Sequence, residues 1–565
     1  MGQQSNPFGR WLWVIGIASL CLTVLITLDL VTSSTGYYGP ADAFGPFSRY
    51  ALFFVVAFVL VGVFSAIAWQ GRGKYNVILT APILVLILFK FMVPQSMDSY
   101  YATSFYDALG HLSRGLYVAV TGHSNPSVDS YFGLQPGFFW ETAIIFNVIS
   151  GVPTSLTSSL SLIVLKWFPI LIALLYVPIL WLLYKELIAN RVLVSAAIVA
   201  QFALSTSPFH YAAQTYGDAL FWLVLALVFI AWNRGSPKYL GLVLLTGISL
   251  IFVHEGVTIM TALVLISVAM YQMLFRNRSR LAGSTRKAFV ILSLNFVAIW
   301  LGYLSFWALS TFGFFISTFR SVLETLVEQG PSLVSSDLSR SNPVWGVVVF
   351  DKFLFFLALI ASGLLASFWN AYRRRDERDK LVLFMLLFAD FFFGPLAVGS
   401  GGAGYIERLP EMTLPLIVYS VIRLAAGFGM QNRTFPSKWV PFLLIGLISV
   451  FSIAGTAFYF SGRNFQSLTY GEVYAKSFLT SETPNNVIGL YPGSSITPLS
   501  QFVQSRVVEH SGSSSQITWV TRHDYIQADY YLTGNMTGVN GVVSSLSNSS
   551  DRIYDNPDSV VFVHP

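Results

Sequence analysis

The chain has 565 residues, of which 54% are hydrophobic and only 11% are charged. Soluble globular proteins carry about 25% charged residues, so this composition indicates a polytopic membrane protein. Seven histidines and a single cysteine, Cys21, leave no paired-cysteine motif or Cys/His cluster, which excludes zinc fingers, iron–sulfur sites and a disulfide framework. The net charge of +6 does not indicate nucleic-acid binding, because short cytoplasmic loops of membrane proteins are rich in Lys and Arg.

The sequence predicts an all-α membrane domain. Long apolar runs recur along the chain, and runs of about 20 residues cross a hydrocarbon core of about 30 Å as helices. The first run lacks a following small-residue cleavage site, so we interpret it as a retained helix and not as a signal peptide. The thirteen predicted spans are 11–31, 50–69, 76–93, 163–184, 192–207, 218–232, 239–253, 256–275, 288–308, 346–371, 381–398, 413–429 and 439–460.

Lys and Arg concentrate in alternate connections between these spans. The positive-inside rule makes that side of the cell membrane cytoplasmic. The N terminus is therefore predicted in the cytoplasm and the C-terminal tail on the extracytoplasmic side. Two Asn-X-Ser/Thr sequons in the tail, at Asn535 and Asn548, are compatible with this orientation. The basic connections hold Arg10; Arg72 and Lys74; Lys185 and Arg191; Arg234 and Lys238; Arg276, Arg278, Arg280, Arg286 and Lys287; Arg373, Arg374, Arg375, Arg378 and Lys380; Arg433 and Lys438.

We divide the chain into a transmembrane domain, 1–460, and an extracytoplasmic domain, 461–565. The first domain includes two long outer segments, 94–162 and 309–345, and loops of that length are usually functional or disordered. Each contains a candidate helix at the membrane interface, which in the first segment is the apolar stretch Phe138–Val152. The tail mixes short β-rich runs with Gly, Pro and Asn, which predicts a small α/β domain.

Ionisable residues are densest in the first outer segment. Asp98 directly follows an apolar span, at the predicted lipid–water boundary, where it could act as a general base or cap the next helix. If 103–118 is helical, Asp107, His111 and Arg114 share one face at spacings i, i+4 and i+7. Such a face could bind a phosphate while a carboxylate accepts a proton, or it could be a solvated face with a local Asp–His pair.

Two further polar groups are predicted on the same side of the membrane. The segment Ser205–Asp218 contains His210 and Tyr216 and leads into the next span. His254 and Glu255 occupy a connection so short that both side chains must lie at the membrane boundary. Because polar side chains are costly near lipid, their retention here indicates a functional region.

A third outer group is Glu407 and Arg408, in a predicted loop at 399–412. The loop begins with a glycine run that lacks the lysine of a P-loop and is typical of a hinge. Arg408 stands between two glutamates, so it could form a local ion pair or bind a substrate phosphate. Asp390 lies in the middle of the span 381–398, where it could form a helix–helix hydrogen bond or an ion or proton site.

The order of these features resembles the GT-C class of integral-membrane glycosyltransferases, in particular prokaryotic and archaeal members, which use polyprenyl-phosphate-linked sugar donors. Two departures stand out. Two extra spans precede the acidic loop, and the tail lacks the WWDYG signature of the oligosaccharyltransferase catalytic subunit. The resemblance is carried by the acidic outer loop (Asp98, Asp107), the helix with His111 and Arg114, the pair Pro136-Gly137 with the aromatic-rich helix after it, the Tyr216-Gly217-Asp218 loop and the closing Arg552–Val563 segment.

The resemblance implies sugar transfer from a lipid phosphate to a glycan, lipid or protein acceptor at the outer face, among membrane lipids and without nucleic acid. Asp98 would be the base that deprotonates the acceptor, with Asp107 as the alternative, and the two could share a divalent Mg²⁺ or Mn²⁺ ion. Arg408 and Arg114 would contact the phosphate. The implied substrate-binding residues are His111, Arg114, His210, Tyr216, His254, Glu255, Glu407 and Arg408.

The alternative function is a secondary transporter or a lipid flippase. Such proteins usually carry internal repeats, interrupted helix pairs and charges at the membrane midplane. This sequence shows no repeat, and Asp390 is its one clear carboxylate at that depth. The sequence therefore favours the glycosyltransferase without excluding transport.

Overall fold

The computed structural model describes most of the helical domain and the strands of the tail. Residues 1–99 lie outside the description, and so do 308–342 and most of 432–467. The described residues are 100–102, 107–126, 131–149, 159–206, 211–275, 283–307, 343–431 except 375 and 400–402, and short pieces at 454–455, 468–469, 488–490, 507–509, 517–521, 544, 547–548, 551–556 and 559–563.

Helices dominate the described part of the chain up to residue 431. In chain order they are α1 (Asp107–Thr121), α2 (Tyr131–Leu134), α3 (Pro136–Ile149), α4 (Ser159–Leu187), α5 (Arg191–Leu204), α6 (Ala213–Arg234), α7 (Lys238–Val253), α8 (Glu255–Leu274), α9 (Gly283–Phe306), α10 (Pro343–Arg374), α11 (Glu377–Gly399) and α12 (Ala403–Gln431). The strands are β1 (Tyr100–Ala102), β2 (Leu468–Thr469), β3 (Ile488–Leu490), β4 (Val507–Glu509), β5 (Ile517–Thr521), β6 (Asp551–Asn556) and β7 (Ser559–Val563).

Nine of the thirteen predicted spans coincide with helices α4 to α12. Counting only their described residues, five of these helices are long and apolar enough to cross a membrane: α4, α6, α8, α9 and α10. The chain is therefore a multi-pass membrane protein. The predicted spans 11–31, 50–69 and 76–93 lie outside the described residues, as does nearly all of 439–460. The total of thirteen stays a prediction, as does an interfacial helix in 309–345.

Helix α6 lies in the middle of the bundle. Its most apolar segment is 83% buried, whereas that of α9 is 28% buried. A helix that is apolar on all sides is expected to be covered by its neighbours, and α6 packs against both α4 and α7. Across the α4–α6 contact, the rings of Tyr176 and Trp222 meet edge to face at 4.6 Å. Small residues permit other close contacts, since a Cβ at Gly363 of α10 would lie 2.6 Å from Ile417 of α12.

Helices α1 to α3 form the outer segment that precedes the bundle. A Cβ at Gly115 of α1 would lie 2.2 Å from Thr142 of α3, so only glycine allows these two helices to approach this closely. Helix α3 confirms the predicted helix at Phe138–Val152, with Pro136 as its first residue. Phe138 and Phe139 are buried on its inner face, while Trp140 is 41% exposed, as expected of a helix with two unlike sides.

The tail contains a five-stranded sheet in the order β4-β3-β5-β7-β6. Strand β3 is parallel to β4 and β5, and β7 is antiparallel to β5 and β6. Short β-rich runs of the tail therefore form strands, as predicted, while the small α/β domain as a whole stays a prediction. The helices of an α/β domain would fall largely on residues outside the description.

A short antiparallel pair, β1 with β2, joins the first outer segment to the start of the tail, with Tyr100 opposite Thr469. The start of the tail therefore lies beside the first outer segment. The ten spans that the sequence places between them stay a prediction.

The prediction of a loop at 399–412 was wrong for most of its length. Helix α12 begins at Ala403, so Glu407 and Arg408 lie in its first two turns. Hydropathy marks where a helix enters lipid and not where the helix begins, because a helix can extend into the aqueous boundary with polar residues. Pro410 and Pro415 both lie within α12 and are tolerated as in other membrane helices.

Candidate functional site

Polar residues from several helices meet around the first turns of α6. Tyr176 of α4 donates a hydrogen bond of 2.5 Å to the carbonyl of Thr215. On another side of the helix, a Cβ at Gly217 would lie 3.1 Å from the Cβ of His254, so the missing side chain lets α6 approach the start of α8. Asp218 is only 3% exposed. The first turns of α6 are therefore a buried polar junction.

His254 and Glu255 occupy the turn between α7 and α8, which confirms the predicted short connection. His254 is 5% exposed, and its Nδ1 accepts a hydrogen bond of 3.3 Å from the backbone N–H of Val257, which caps α8. In the neutral imidazole the proton is therefore on Nε2. Glu255 is half-buried, and its Oε1 has no hydrogen-bond partner among the residues that the structure describes.

Glu141 is the ionisable residue of α3, in a helix whose other polar side chains are Thr142 and Asn147. Its side chain is half-buried and has no ion pair within the described ranges. Burial raises the pKa of Glu141 from 4.5 to about 7. The next residue, Thr142, shares a hydrogen bond with the hydroxyl of Tyr211, whose ring packs at 5.2 Å from Phe138.

Tyr211 connects Glu141 to the α6 junction. It is 1% exposed and lies two residues before α6. Burial raises the pKa of Tyr211 above its ordinary value, the hydrogen bond with Thr142 lowers it, and the charge of Glu141 raises it further. The hydroxyl therefore stays protonated at neutral pH and acts as a hydrogen-bonding group.

A second buried carboxylate, Glu411 of α12, lies at the same end of the bundle. It is 4% exposed and accepts hydrogen bonds from the hydroxyl of Ser205 and, at 3.2 Å, from the backbone N–H of Thr206. These contacts join α12 to the end of α5. Glu407 precedes Glu411 by four residues in α12. We call this end of the bundle, with Glu141, Asp218, Glu255 and Glu411, the carboxylate end.

Helix α1 confirms the predicted helix that carries Asp107, His111 and Arg114. His111 is 6% exposed, and its ring lies between Phe138 at 5.7 Å and Phe139 at 6.0 Å. The solvated-face interpretation was therefore wrong for His111, because the α1–α3 contact covers this side of the helix. Arg114 is half-buried one turn further along α1.

The structure brings together part of the predicted site. His254, Glu255 and Tyr216 lie at the carboxylate end. His111 is linked to this end by ring contacts, since it packs against Phe138, which packs against Tyr211. Asp98 and His210 lie outside the described residues, as do the side chains of Asp107, Glu407 and Arg408. Their roles stay predictions. For Asp98 the nearest described element is β1, two residues later.

Glu141 was missed by the sequence analysis, and Glu411 and Asp218 were noticed only as parts of motifs. A single carboxylate in the apolar stretch after Pro136-Gly137 was the available signal for Glu141, because such residues are costly near lipid. For Glu411, the neighbouring Arg408 suggested a local ion pair. The structure shows that Glu411 accepts hydrogen bonds from the Ser205 hydroxyl and the Thr206 backbone N–H, while the ion pair with Arg408 stays a prediction.

The described residues contain no group of three or more His, Cys, Asp or Glu that could hold a metal ion. The proposed ligands Asp98 and Asp107 are not covered by that finding, since the side chains of both lie outside the description. The carboxylate end can still supply proton acceptors and hydrogen-bond donors. Its half-buried carboxylates and the backbone N–H groups at the starts of α6 and α8 are suited to binding a polar group at the membrane boundary.

The sequence matches no protein-family model and no curated protein. Among solved structures, the chain is similar to the Archaeoglobus fulgidus oligosaccharyltransferase tethered to an acceptor peptide containing the NVT sequon, with a TM-score of 0.49 and 11% identity over 87% of this chain and 74% of that one. It is also similar to the same enzyme in complex with Zn and sulfate, with a TM-score of 0.47 and 10% identity over 86% of this chain and 73% of that one.

Proposed function

We propose that this membrane protein is a glycosyltransferase of the GT-C class, which moves a sugar from a polyprenyl-phosphate-linked donor to an acceptor at the outer face of the membrane. The observation that carries the proposal is the convergence of polar residues from α3, α6, α8 and α12 at one end of the bundle. The same end carries the first outer segment, which holds the acidic residues expected of the catalytic loop.

The proposed reaction forms one bond and breaks one. Asp98, or Asp107 in its place, accepts the proton of the acceptor hydroxyl while the acceptor oxygen bonds to the anomeric carbon of the sugar. The bond between that carbon and the phosphate oxygen breaks, and the lipid phosphate leaves as an anion. Arg408 and Arg114 stabilise the departing negative charge.

The remaining predicted residues would bind the donor headgroup. His254, Glu255 and Tyr216 are already at the carboxylate end, and His111, His210 and Glu407 are assigned to the same role. Hydroxyls of a sugar need both donors and acceptors, which imidazole, carboxylate and phenol groups supply. Asp98 and Asp107 are also assigned a shared Mg²⁺ or Mn²⁺ ion, because carboxylate oxygens are ligands of hard divalent cations.

The orientation of the chain is part of the proposal. The seven basic connections place the N terminus in the cytoplasm and residues 461–565 outside the cell membrane. Protease added to intact cells is therefore expected to remove the tail. Protection of the tail in intact cells, with cleavage only after lysis, would mean that the orientation is inverted.

The function is tested by incubating the purified chain in nanodiscs with a panel of lipid-phosphate sugars and candidate acceptors. We expect release of free lipid phosphate together with a glycosylated acceptor for at least one donor. The matched control is a chain with Asp98→Asn and Asp107→Asn, which keeps side-chain shape without the basic oxygen. Equal product from the wild type and this control would contradict the proposed chemistry.

One observation favours the alternative of transport. Asp390 lies within α11, and neither of its carboxylate oxygens has a hydrogen-bond partner among the described residues. A carboxylate of this kind could serve as a proton or ion site. If the chain is a transporter or flippase, Asp390→Asn should abolish movement of lipid across reconstituted vesicles. The glycosyltransferase proposal expects this variant to retain sugar transfer.

A further inference from the structure

At the opposite end of the bundle, arginines and carboxylates form a network around the connection between α10 and α11. Asp376 binds Arg378 at 3.1 Å and Arg423 at 3.4 Å. Arg423 also lies 3.7 Å from Asp379, and Arg374 donates to the carbonyl of Arg423 at 3.1 Å. We call this end, defined by Arg374, Arg378 and Arg423, the arginine end.

Positive charge exceeds negative charge there. Among the described residues, with Arg373 and Lys380 included, five basic groups stand against three carboxylates, Asp376, Glu377 and Asp379. Asp379 is 1% exposed and already accepts a hydrogen bond of 2.6 Å from Tyr419. The buried carboxylate is therefore turned inward, whereas the Arg373 side chain is on the surface. The arginine end presents a net positive surface.

The last turns of α10 add an exposed aromatic face beside this charge. Phe368 is 62% exposed and Tyr372 is 75% exposed, and their rings stack with centroids 6.4 Å apart. Trp369 is 43% exposed, and the guanidinium of Arg373 lies 5.8 Å from its ring centre. Aromatic rings at the end of a membrane helix are typical of the lipid headgroup level.

We infer that the C-terminal end of α10 is a binding site for an anionic phospholipid, with the phosphate at Arg373 and Arg374 and the acyl chains along Phe368 and Tyr372. Charge complementarity favours an anionic headgroup over a zwitterionic one. The exposed aromatic face favours a lipid over a soluble anion, because a soluble phosphate would leave these rings uncovered. A guanidinium beside the headgroup can bind two phosphate oxygens at once.

The test uses the full chain in mild detergent, titrated with phosphatidylglycerol or phosphatidylcholine and examined by native mass spectrometry. We expect phosphatidylglycerol to bind the wild type several-fold more tightly than phosphatidylcholine. Arg373→Gln should weaken phosphatidylglycerol binding about fivefold, the factor that corresponds to about 1 kcal/mol per basic residue near the membrane surface. Arg373→Lys keeps the positive charge, so it should lose less phosphatidylglycerol affinity than Arg373→Gln.

Arg234→Gln is the matched control. Arg234 is also basic and exposed at this side of the bundle, but it pairs with Glu186 at 3.6 Å and binds Tyr239 at 2.7 Å. The control should bind phosphatidylglycerol like the wild type. A second variant, Tyr372→Ala, keeps every charge and should weaken the binding of both phosphatidylglycerol and phosphatidylcholine.

Three results would overturn the inference. They are unchanged phosphatidylglycerol binding by Arg373→Gln, equal binding of the two lipids by the wild type, and displacement of bound lipid by millimolar glycerol phosphate. The first would place the lipid elsewhere or show that another part of the chain covers this face. The last would show that the site takes a soluble anion.

Discussion

Carboxylates at the two ends of the helical bundle differ in their partners. At the arginine end, Asp376 is held by two arginines, and Glu377 pairs with Lys380 at 2.6 Å. At the carboxylate end, Glu141 and Glu255 have no ion pair in the part of the chain that the structure describes. A carboxylate already paired with an arginine stabilises the fold, whereas an unpaired, half-buried one is available to bind or to accept a proton.

The pKa values follow the same division. Burial raises the pKa of Asp376, but the hydrogen bonds from Arg378 and the charges of Arg378 and Arg423 outweigh it and hold this pKa below its ordinary value. Burial alone raises the pKa of Glu141 to about 7. This contrast agrees with the proposal that the chemistry occurs at the carboxylate end, while ion pairs at the arginine end hold helices together.

The largest expected effect tests the chemistry directly. Asp98→Asn should slow sugar transfer by about 10²–10⁴-fold while folding and donor binding stay largely intact, because the amide keeps the shape but cannot accept the proton. Transfer rates under saturating donor provide the measurement. Asp107→Asn is the companion variant: if it alone is inactive, the base is Asp107. Less than a tenfold loss in both variants would contradict a carboxylate base in this loop.

At the arginine end the expected effect is on stability. Arg423→Ala removes a partner of Asp379, whose side chain is fully buried, and should lower the free energy of unfolding by about 1–3 kcal/mol. The loss of stability is measured as the fraction of protein that stays monodisperse with rising temperature. Sugar transfer per folded molecule should stay at the wild-type level. Arg234→Ala is the control, expected to cost at most about 1 kcal/mol because that side chain is 55% exposed. Loss of catalysis without loss of stability in Arg423→Ala would break the division between the ends.

A further expected effect is a difference in pH dependence. Because the pKa of Glu141 is raised in the folded state, the folded chain binds more protons than the unfolded chain between pH 4.5 and about 7, so its contribution to stability is lost as the pH rises through that interval. Glu141→Gln should remove this loss and gain stability relative to the wild type from pH 5 to pH 8.

Asp376→Asn is the comparison variant for this experiment. The pKa of Asp376 is lowered in the folded state, so its contribution is present above about its ordinary pKa of 3.8 and is lost only as the pH falls through its folded pKa. The stability difference between this variant and the wild type should therefore be nearly constant from pH 5 to pH 8. Parallel stability curves for wild type and Glu141→Gln would contradict the assignment of a titrating carboxyl to α3.

Hydropathy predicted the helices well because lipid imposes one requirement on every spanning segment: its backbone must be satisfied within a helix. Hydropathy could not place the start of α12, because the first turns of this helix contain the polar residues Glu407 and Arg408 and precede the apolar run. Helix α6 was predicted to begin near Asp218, five residues after its actual start at Ala213. The extra turn is what brings Tyr216 and Gly217 to the junction.

The arrangement of the candidate site could be predicted only in part. Tyr216, His254 and Glu255 were recognisable as polar residues at span boundaries. Glu141 was hidden within an apolar stretch, and the link from Glu411 to Ser205 joins residues far apart in the sequence. Such long-range contacts depend on packing between helices, which a single sequence does not encode in any local pattern. The pairing of β1 with β2 was unpredictable for the same reason.

An electron cryomicroscopy structure of the chain with a bound donor tests whether the carboxylate end binds a lipid-phosphate sugar for transfer. We expect density for the headgroup at the carboxylate end, with Asp98 and Arg408 within roughly 15 Å of each other and both facing it, and the lipid chain leaving towards the outer leaflet. Donor density at the arginine end, or Asp98 and Arg408 on opposite sides of the bundle with no cavity between them, would contradict this proposal.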